Sequence, residues 1–246
     1  MRNLKLTISY DGTRYRGWQR LAGEPNTIQG KLEATLSRIL GEPIEISGSG
    51  RTDAGAHAMH QVASFHCEST MPCQVLLQQL RTYLPEDIGI HSCQEAGPRF
   101  HARLNAVSKT YVYRVWNSEE PCVFERKYVY RMTAPLDLDS MRQAASYLLG
   151  EHDFLSFCSN KKFKKSSIRT IHRLEIERLG PELRITVEGD GFLYNMVRIL
   201  VGTLLEVGMG RKSPQEIPEI LAGKNRELAG YTVPANGLIL WEVAYQ

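Results

Sequence analysis

Near the N-terminus Leu4, Leu6, Ile8 and Tyr10 alternate with Lys5, Thr7 and Ser9, which predicts a strand over 4–10 with one buried face, ended by Asp11 and Gly12. Ile28, Leu32, Leu36 and Leu40 then fall at four-residue spacing, the mark of a helix with one buried stripe, with Asn26 or Thr27 placed to cap it and Gly41 to stop it. A short strand over 44–46, a Gly/Ser-rich loop over 47–55, a strand over 62–67, a helix over 72–83 and a strand over 88–93 follow. Over 109–117 both faces carry bulk, Tyr111, Tyr113 and Val115 on one and Val112 and Trp116 on the other, which predicts a central strand covered on both sides.

The second half reads as a strand, a helix over 138–149, strands over 171–179 and 183–189, a nearly all-apolar helix over 192–207, a helix capped at Ser213 and Pro214, and a last strand over 237–244. This mixed order predicts an α+β fold rather than a doubly wound one. The expected architecture is two ferredoxin-like, RRM-like halves, 1–105 and 106–246, with a mixed, mainly antiparallel sheet and the active cleft between them. No residue-level repeat marks a duplication.

Composition narrows the class. With 42% hydrophobic and 23% charged residues in 246, the chain has enough apolar matter for a real core and is not a disordered one. No run is long enough to span a bilayer, and the N-terminus carries no signal-like apolar block, so a cytoplasmic protein without membrane attachment is expected. The five cysteines, Cys67, Cys73, Cys93, Cys122 and Cys158, include no C-x-x-C pair, which argues against a disulfide framework or a zinc ribbon. His57, His60, His66 and Cys67 lack the i,i+4 spacing of helical zinc ligands, so no metal site is expected. The net charge of +3 permits an anionic partner without requiring one.

The densest chemistry lies in Gly48–Ser49–Gly50–Arg51–Thr52–Asp53–Ala54–Gly55–Ala56–His57–Ala58, where small residues free the backbone and expose one carboxylate beside one guanidinium. A dinucleotide fingerprint fails because its third glycine falls at Asp53, and a P-loop fails for want of a terminal Gly-Lys-Ser/Thr. The order Thr-Asp-Ala-Gly is also not that of an aspartic protease. A structural turn with an Asp cap remains open at this stage, although the string is long for one.

That string, with Tyr10–Asp11–Gly12–Thr13, Gly17–Trp18–Gln19, Thr27–Ile28–Gln29–Gly30, Phe100–His101–Ala102–Arg103, Lys109–Thr110–Tyr111–Val112–Tyr113, Met196–Val197–Arg198 and Val201–Gly202–Thr203–Leu204, resembles the TruA family of tRNA pseudouridine synthases in the same order over almost the whole chain. Ala56, where members often carry Val, and Tyr194–Asn195, where they often carry a His or Tyr pair, are conservative departures.

The resemblance implies an enzyme that detaches uracil at N1 and rejoins it through C5, needing no cofactor because the same atoms are reconnected. Asp53 is then the essential carboxylate, either attacking C1′ or removing a ribose proton. A carboxylate in a dry pocket needs a cation to stay charged, and Arg198 matches the family's active-site arginine. Tyr111 matches the aromatic residue that packs on the target base. Arg51 matches the residue that braces the gap left by a flipped nucleotide. Phe100, His101, Arg103 and Lys109 look like substrate-binding residues. Read without the resemblance, Tyr111 is a core aromatic first, and Arg198 is readable as an arginine that snorkels from an apolar helix to the surface.

The substrate so implied is the anticodon stem-loop of tRNA, positions 38 to 40, bound by a homodimer. Two other readings stand beside it: a non-catalytic RNA-binding module, or a pseudouridine synthase acting on another RNA. An Asp-dependent glycosidic hydrolase would want a second acid near Asp53, where the loop offers Arg51. Lys161, Lys162, Lys164 and Lys165 with Phe163 and Arg169 form a basic cluster that is readable as an RNA-backbone loop or as a solvated one.

Overall fold

A computed structural model of the chain describes residues 1–160 and 165–246. Two compact units emerge, Met1–Val107 with Ile239–Gln246, and Ser108–Leu238. The fold is α+β.

In the first unit, β1 (Arg2–Tyr10), β3 (His57–Cys67), β4 (Ile88–Glu95) and β10 (Leu238–Tyr245) form a sheet in the order β4-β1-β3-β10. β1 runs antiparallel to β3 and β4, and β10 runs parallel to β3. Helix α1 (Ile28–Leu40) follows β1 and α2 (Cys73–Tyr83) follows β3, the connectivity of a ferredoxin-like unit with the C-terminal strand at one side. The period-two pattern of β1 holds: Leu4, Leu6 and Ile8 are fully buried, while Lys5, Thr7 and Ser9 are only half-buried. Thr27 caps α1 by accepting from the Gly30 amide, and Gly41 closes it at φ 73°, a left-handed turn suited to glycine.

The strand predicted over 44–46 does not form. β2 is Ser47–Gly48, and the backbone before it is satisfied by α1 instead: the Ile44 amide donates to Ser37 Oγ, the Ile46 amide to Glu33 Oε1, and the Ile46 carbonyl accepts from Gln29. Side chains replaced a ladder that the β-branched residues suggested.

The second unit has the order β5-β9-β8-β7, from β5 (Ala106–Asn117), β9 (Glu182–Gly189), β8 (Ile168–Leu179) and β7 (Gly150–Asp153), all antiparallel, with β6 (Tyr130–Met132) running parallel to the end of β5. Tyr111, Val112, Tyr113 and Val115 are all buried, so β5 is covered on both faces as its sequence predicts. Helix α3 (Leu138–Ser146) is shorter than the 138–149 expected. Helix α4 (Met196–Gly208) is buried almost all round, and α5 (Glu216–Gly223) follows. Helix α4 starts four residues later than predicted because Asn195 stands at φ 61°, outside helical space. Among the described residues, no helix is long and apolar enough to cross a membrane.

Candidate active site

The loop that carries Asp53 is fixed by buried polar side chains and by glycines that admit close approach. The Tyr10 hydroxyl shares a 2.8 Å hydrogen bond with Thr52 Oγ1, and burial pushes this phenol above its usual range. Gln61, fully buried, donates through Nε2 to the Gly50 carbonyl at 2.9 Å and accepts from Ser49 Oγ at 2.5 Å. The Trp18 amide donates to the Thr52 carbonyl at 3.1 Å, and the Gly55 amide to Tyr15. A Cβ on Gly12 would stand 1.8 Å from the Ala56 carbonyl oxygen, and one on Gly48 would stand 2.5 Å from the Trp18 indole. Both contacts require glycine.

His57, buried behind the loop, accepts the Gly12 amide at Nδ1 over 3.1 Å. The Asp11 carboxylate stands 3.2 Å from the same nitrogen. The backbone is thus anchored on both sides of Asp53, while the Asp53 side chain is half-buried and Arg51 is exposed.

In the second unit Tyr111 meets the Phe192 ring edge-on, with centroids 5.2 Å apart at 87°. It is 7% exposed, so most of its ring is core and only a margin is offered outward. Lys109 lies two residues earlier on β5, opposite Gly189 in β9. Arg198, on the first turn of α4, donates from Nε to the Val233 carbonyl at 2.7 Å and from Nη1 to Asn195 Oδ1 at 3.0 Å. Asn195 in turn donates to Ser159 Oγ. The segment carrying Val233 lies tight on α4: a Cβ on Gly202 would stand 1.8 Å from the Tyr231 carbonyl oxygen. Arg198 is therefore a held side chain and not one that snorkels to solvent.

Phe100, His101 and Arg103 come together in one turn of the first unit. His101 Nδ1 accepts from the Arg103 and Leu104 amides, and its own amide donates to Asn105 Oδ1 at 2.7 Å. Phe100 packs on Tyr245, centroids 5.2 Å apart. His101 thus shapes the turn, and Arg103 is the exposed member.

Comparison with known proteins decides the family. A sequence model described as tRNA pseudouridine synthase matches residues 6–105 and 144–246. Proteins named tRNA pseudouridine synthase A from Brevibacillus brevis and tRNA pseudouridine synthase A 2 from Bacillus cereus are 46% and 45% identical over 245 residues, and one named tRNA pseudouridine synthase A 2 from Clostridium perfringens is 46% identical over 247; each match covers 100% of both chains. The chain belongs to the tRNA pseudouridine synthase family.

Within this family member, several site-building residues escaped the sequence reading. Tyr10, Thr52 and Gln61 sit in or beside recognisable motifs, but nothing in their spacing says that their polar groups meet. Asn195 and Val233 hold Arg198 from 3 and 35 residues away. The three histidines considered for a metal face separate partners, His60 the Trp241 carbonyl and His66 the Pro98 carbonyl, with His57 on Gly12. Four residues of the basic cluster, Lys161, Lys162, Phe163 and Lys164, lie outside the described residues.

Proposed function

We propose that this chain isomerises uridine to pseudouridine in the anticodon stem-loop of tRNA, at positions 38 to 40, with Asp53 as the essential carboxylate. The observation that supports this reading is full-length 46% identity to a protein named tRNA pseudouridine synthase A, in a chain whose Asp53 loop is anchored by buried hydrogen bonds and leaves the carboxylate half-buried. The reaction breaks the bond from N1 of uracil to C1′, turns the base, joins C5 to C1′, and moves one proton from C5 to solvent and one from solvent to N1. No electron leaves the substrate, so no redox partner is needed.

Asp53 acts on the ribose, either by adding to C1′ or by taking a ribose proton, and in both routes it must enter as the carboxylate. Arg198 supplies the positive charge that favours this form, and its hydrogen bonds to Val233 and Asn195 keep it from folding away. The margin of Tyr111 supports the detached uracil while it turns, and Phe192 braces that ring. The target nucleotide has to leave its stack, at a cost of roughly a few kcal/mol, and Arg51 fills the space it vacates. Phe100, His101, Arg103 and Lys109 serve substrate binding: Arg103 and Lys109 as cations, Phe100 and His101 by shaping the turn. The working form is a cytoplasmic homodimer.

The test is tritium release from tRNA carrying 5-tritiated uridine, without added cofactor, followed by mapping of the product. Release with pseudouridine at positions 38 to 40 is expected; release mapped only elsewhere, or free uracil as the product, would overturn the assignment.

A further inference from the structure

Leu4, Leu6 and Ile8 are fully buried on one face of the first unit's sheet, and the opposite face carries Lys5, a half-buried cation. Lys5 stands there with its ammonium 4.5 Å from the Tyr245 ring centroid and 5.3 Å from that of Phe100. Its cross-strand neighbours are Ser64 on β3 and Gln94 on β4, where a charge partner would ordinarily stand, and both are neutral. Among the described residues it makes no ion pair.

The turn beside it is bound to the same face. Asn3, on that face of β1 and 3% exposed, donates to the Gly97 and Phe100 carbonyls at 2.9 and 2.8 Å. The Ala102 amide donates to Ser64 Oγ, and the Tyr245 hydroxyl donates to the Ala102 carbonyl at 2.6 Å. What this well-tied turn offers outward is Arg99, exposed and likewise in no ion pair among the described residues. The nearby carboxylate of Glu95 is already paired with Arg2. A rigid platform with positive charge left unneutralised matches one class of partner, the phosphodiester backbone of RNA, for which fixed cations give affinity through counterion release.

We propose that Lys5, held over Phe100 and Tyr245, and Arg99 on the adjoining turn each contact a phosphate of the RNA. This rests on the reading of the substrate as tRNA and extends its footprint to residues outside the catalytic loop.

The experiment measures Kd of the full chain for unmodified tRNA across about 50 to about 300 mM KCl, for wild type, Lys5→Met, Lys5→Arg and Arg99→Ala. Each lost phosphate contact lowers the slope of log Kd against log salt by about 0.7–0.9. Lys5→Met, whose flexible apolar chain still packs on the two rings, and Arg99→Ala are each expected to show that loss and to bind several-fold more weakly at the lowest salt, while Lys5→Arg keeps the wild-type slope. Slopes equal to wild type in Lys5→Met and Arg99→Ala overturn the proposal, even where melting temperature falls, since a purely structural role moves stability and not the slope. Arg99 lies exposed on a turn, so its variant decides the matter should Lys5→Met fail to fold. Tritium release by the wild type reads the substrate assignment separately: salt-dependent binding with no release defeats that assignment and leaves the phosphate contacts to be judged by the slopes.

Discussion

Asp53 and Arg198 are both held, but by different physics. The Asp53 loop belongs to no regular element, and its shape comes from buried side-chain hydrogen bonds, Tyr10 to Thr52 and Gln61 to Gly50, together with backbone approaches that only Gly12 and Gly48 allow. Arg198 rides on a buried helix whose position is set by apolar packing, and its guanidinium is steered by hydrogen bonds that include the Val233 carbonyl and the Asn195 side-chain amide. A loop of this kind concentrates its requirements in a short string of sequence, whereas a helix spreads them over a stripe. The same contrast separates what breaks each: a loop fails through any anchor, a helix-borne group mainly through its own end.

The largest effect should come from Gly12→Ala. Its new Cβ meets the Ala56 carbonyl oxygen, so the loop must move, and about 1–3 kcal/mol of stability should be lost along with most of the tritium-release activity. Gly202→Ala, which meets the Tyr231 carbonyl at the same distance, should cost similar stability in urea unfolding. If Gly12→Ala keeps full activity, the loop is not held as described.

Arg198→Lys should follow. A single ammonium cannot reproduce the fork that reaches both Val233 and Asn195, and kcat/KM should fall about tenfold or more, equivalent to about 1.4 kcal/mol. Wild-type kinetics in this variant would mean that charge alone suffices.

Tyr10→Phe tests the loop more finely. It leaves the Thr52 hydroxyl without its buried partner, at about 1–3 kcal/mol, and kcat should fall more than KM changes. The matching change in the second unit, Tyr113→Phe, removes a hydrogen bond to the Pro234 carbonyl and should lower the melting temperature with a smaller effect on turnover. Equal kinetic effects from the two tyrosines would erase the contrast. Smallest of all, Thr27→Ala should remove the α1 cap at about 1 kcal/mol, read in denaturant midpoint, with turnover at 25 °C close to wild type.

The sequence was most legible where one local rule governs. The four-residue stripe of α1 and its Gly41 stop appear as read, and of the two candidate caps, Asn26 and Thr27, it is Thr27 that serves, because cap and left-handed turn are local chemistry. It misled where distant side chains decide: the β-branched pair Ile44 and Ile46 looks like a strand, but Glu33 and Ser37 had already taken its amides. Strand β7, Gly150–Asp153, carries no apolar alternation to reveal it and exists by pairing with β8. Of the candidate site, the Asp53 string was plain, while Gln61, Asn195 and Val233 were invisible because a buried polar network leaves no period in the sequence. The roles of Tyr111 and Arg198 came from resemblance alone, since an aromatic on a covered strand and an arginine on an apolar helix are common in cores.

The central claim is that Asp53, presented by an anchored loop, performs the chemistry rather than merely shaping the protein. The most direct measurement compares Asp53→Asn with wild type in the same preparation, reading tRNA Kd and tritium release from 5-tritiated uridine together. The account predicts a Kd close to wild type with release reduced by at least about 10²-fold; release near the wild-type rate from Asp53→Asn would contradict it.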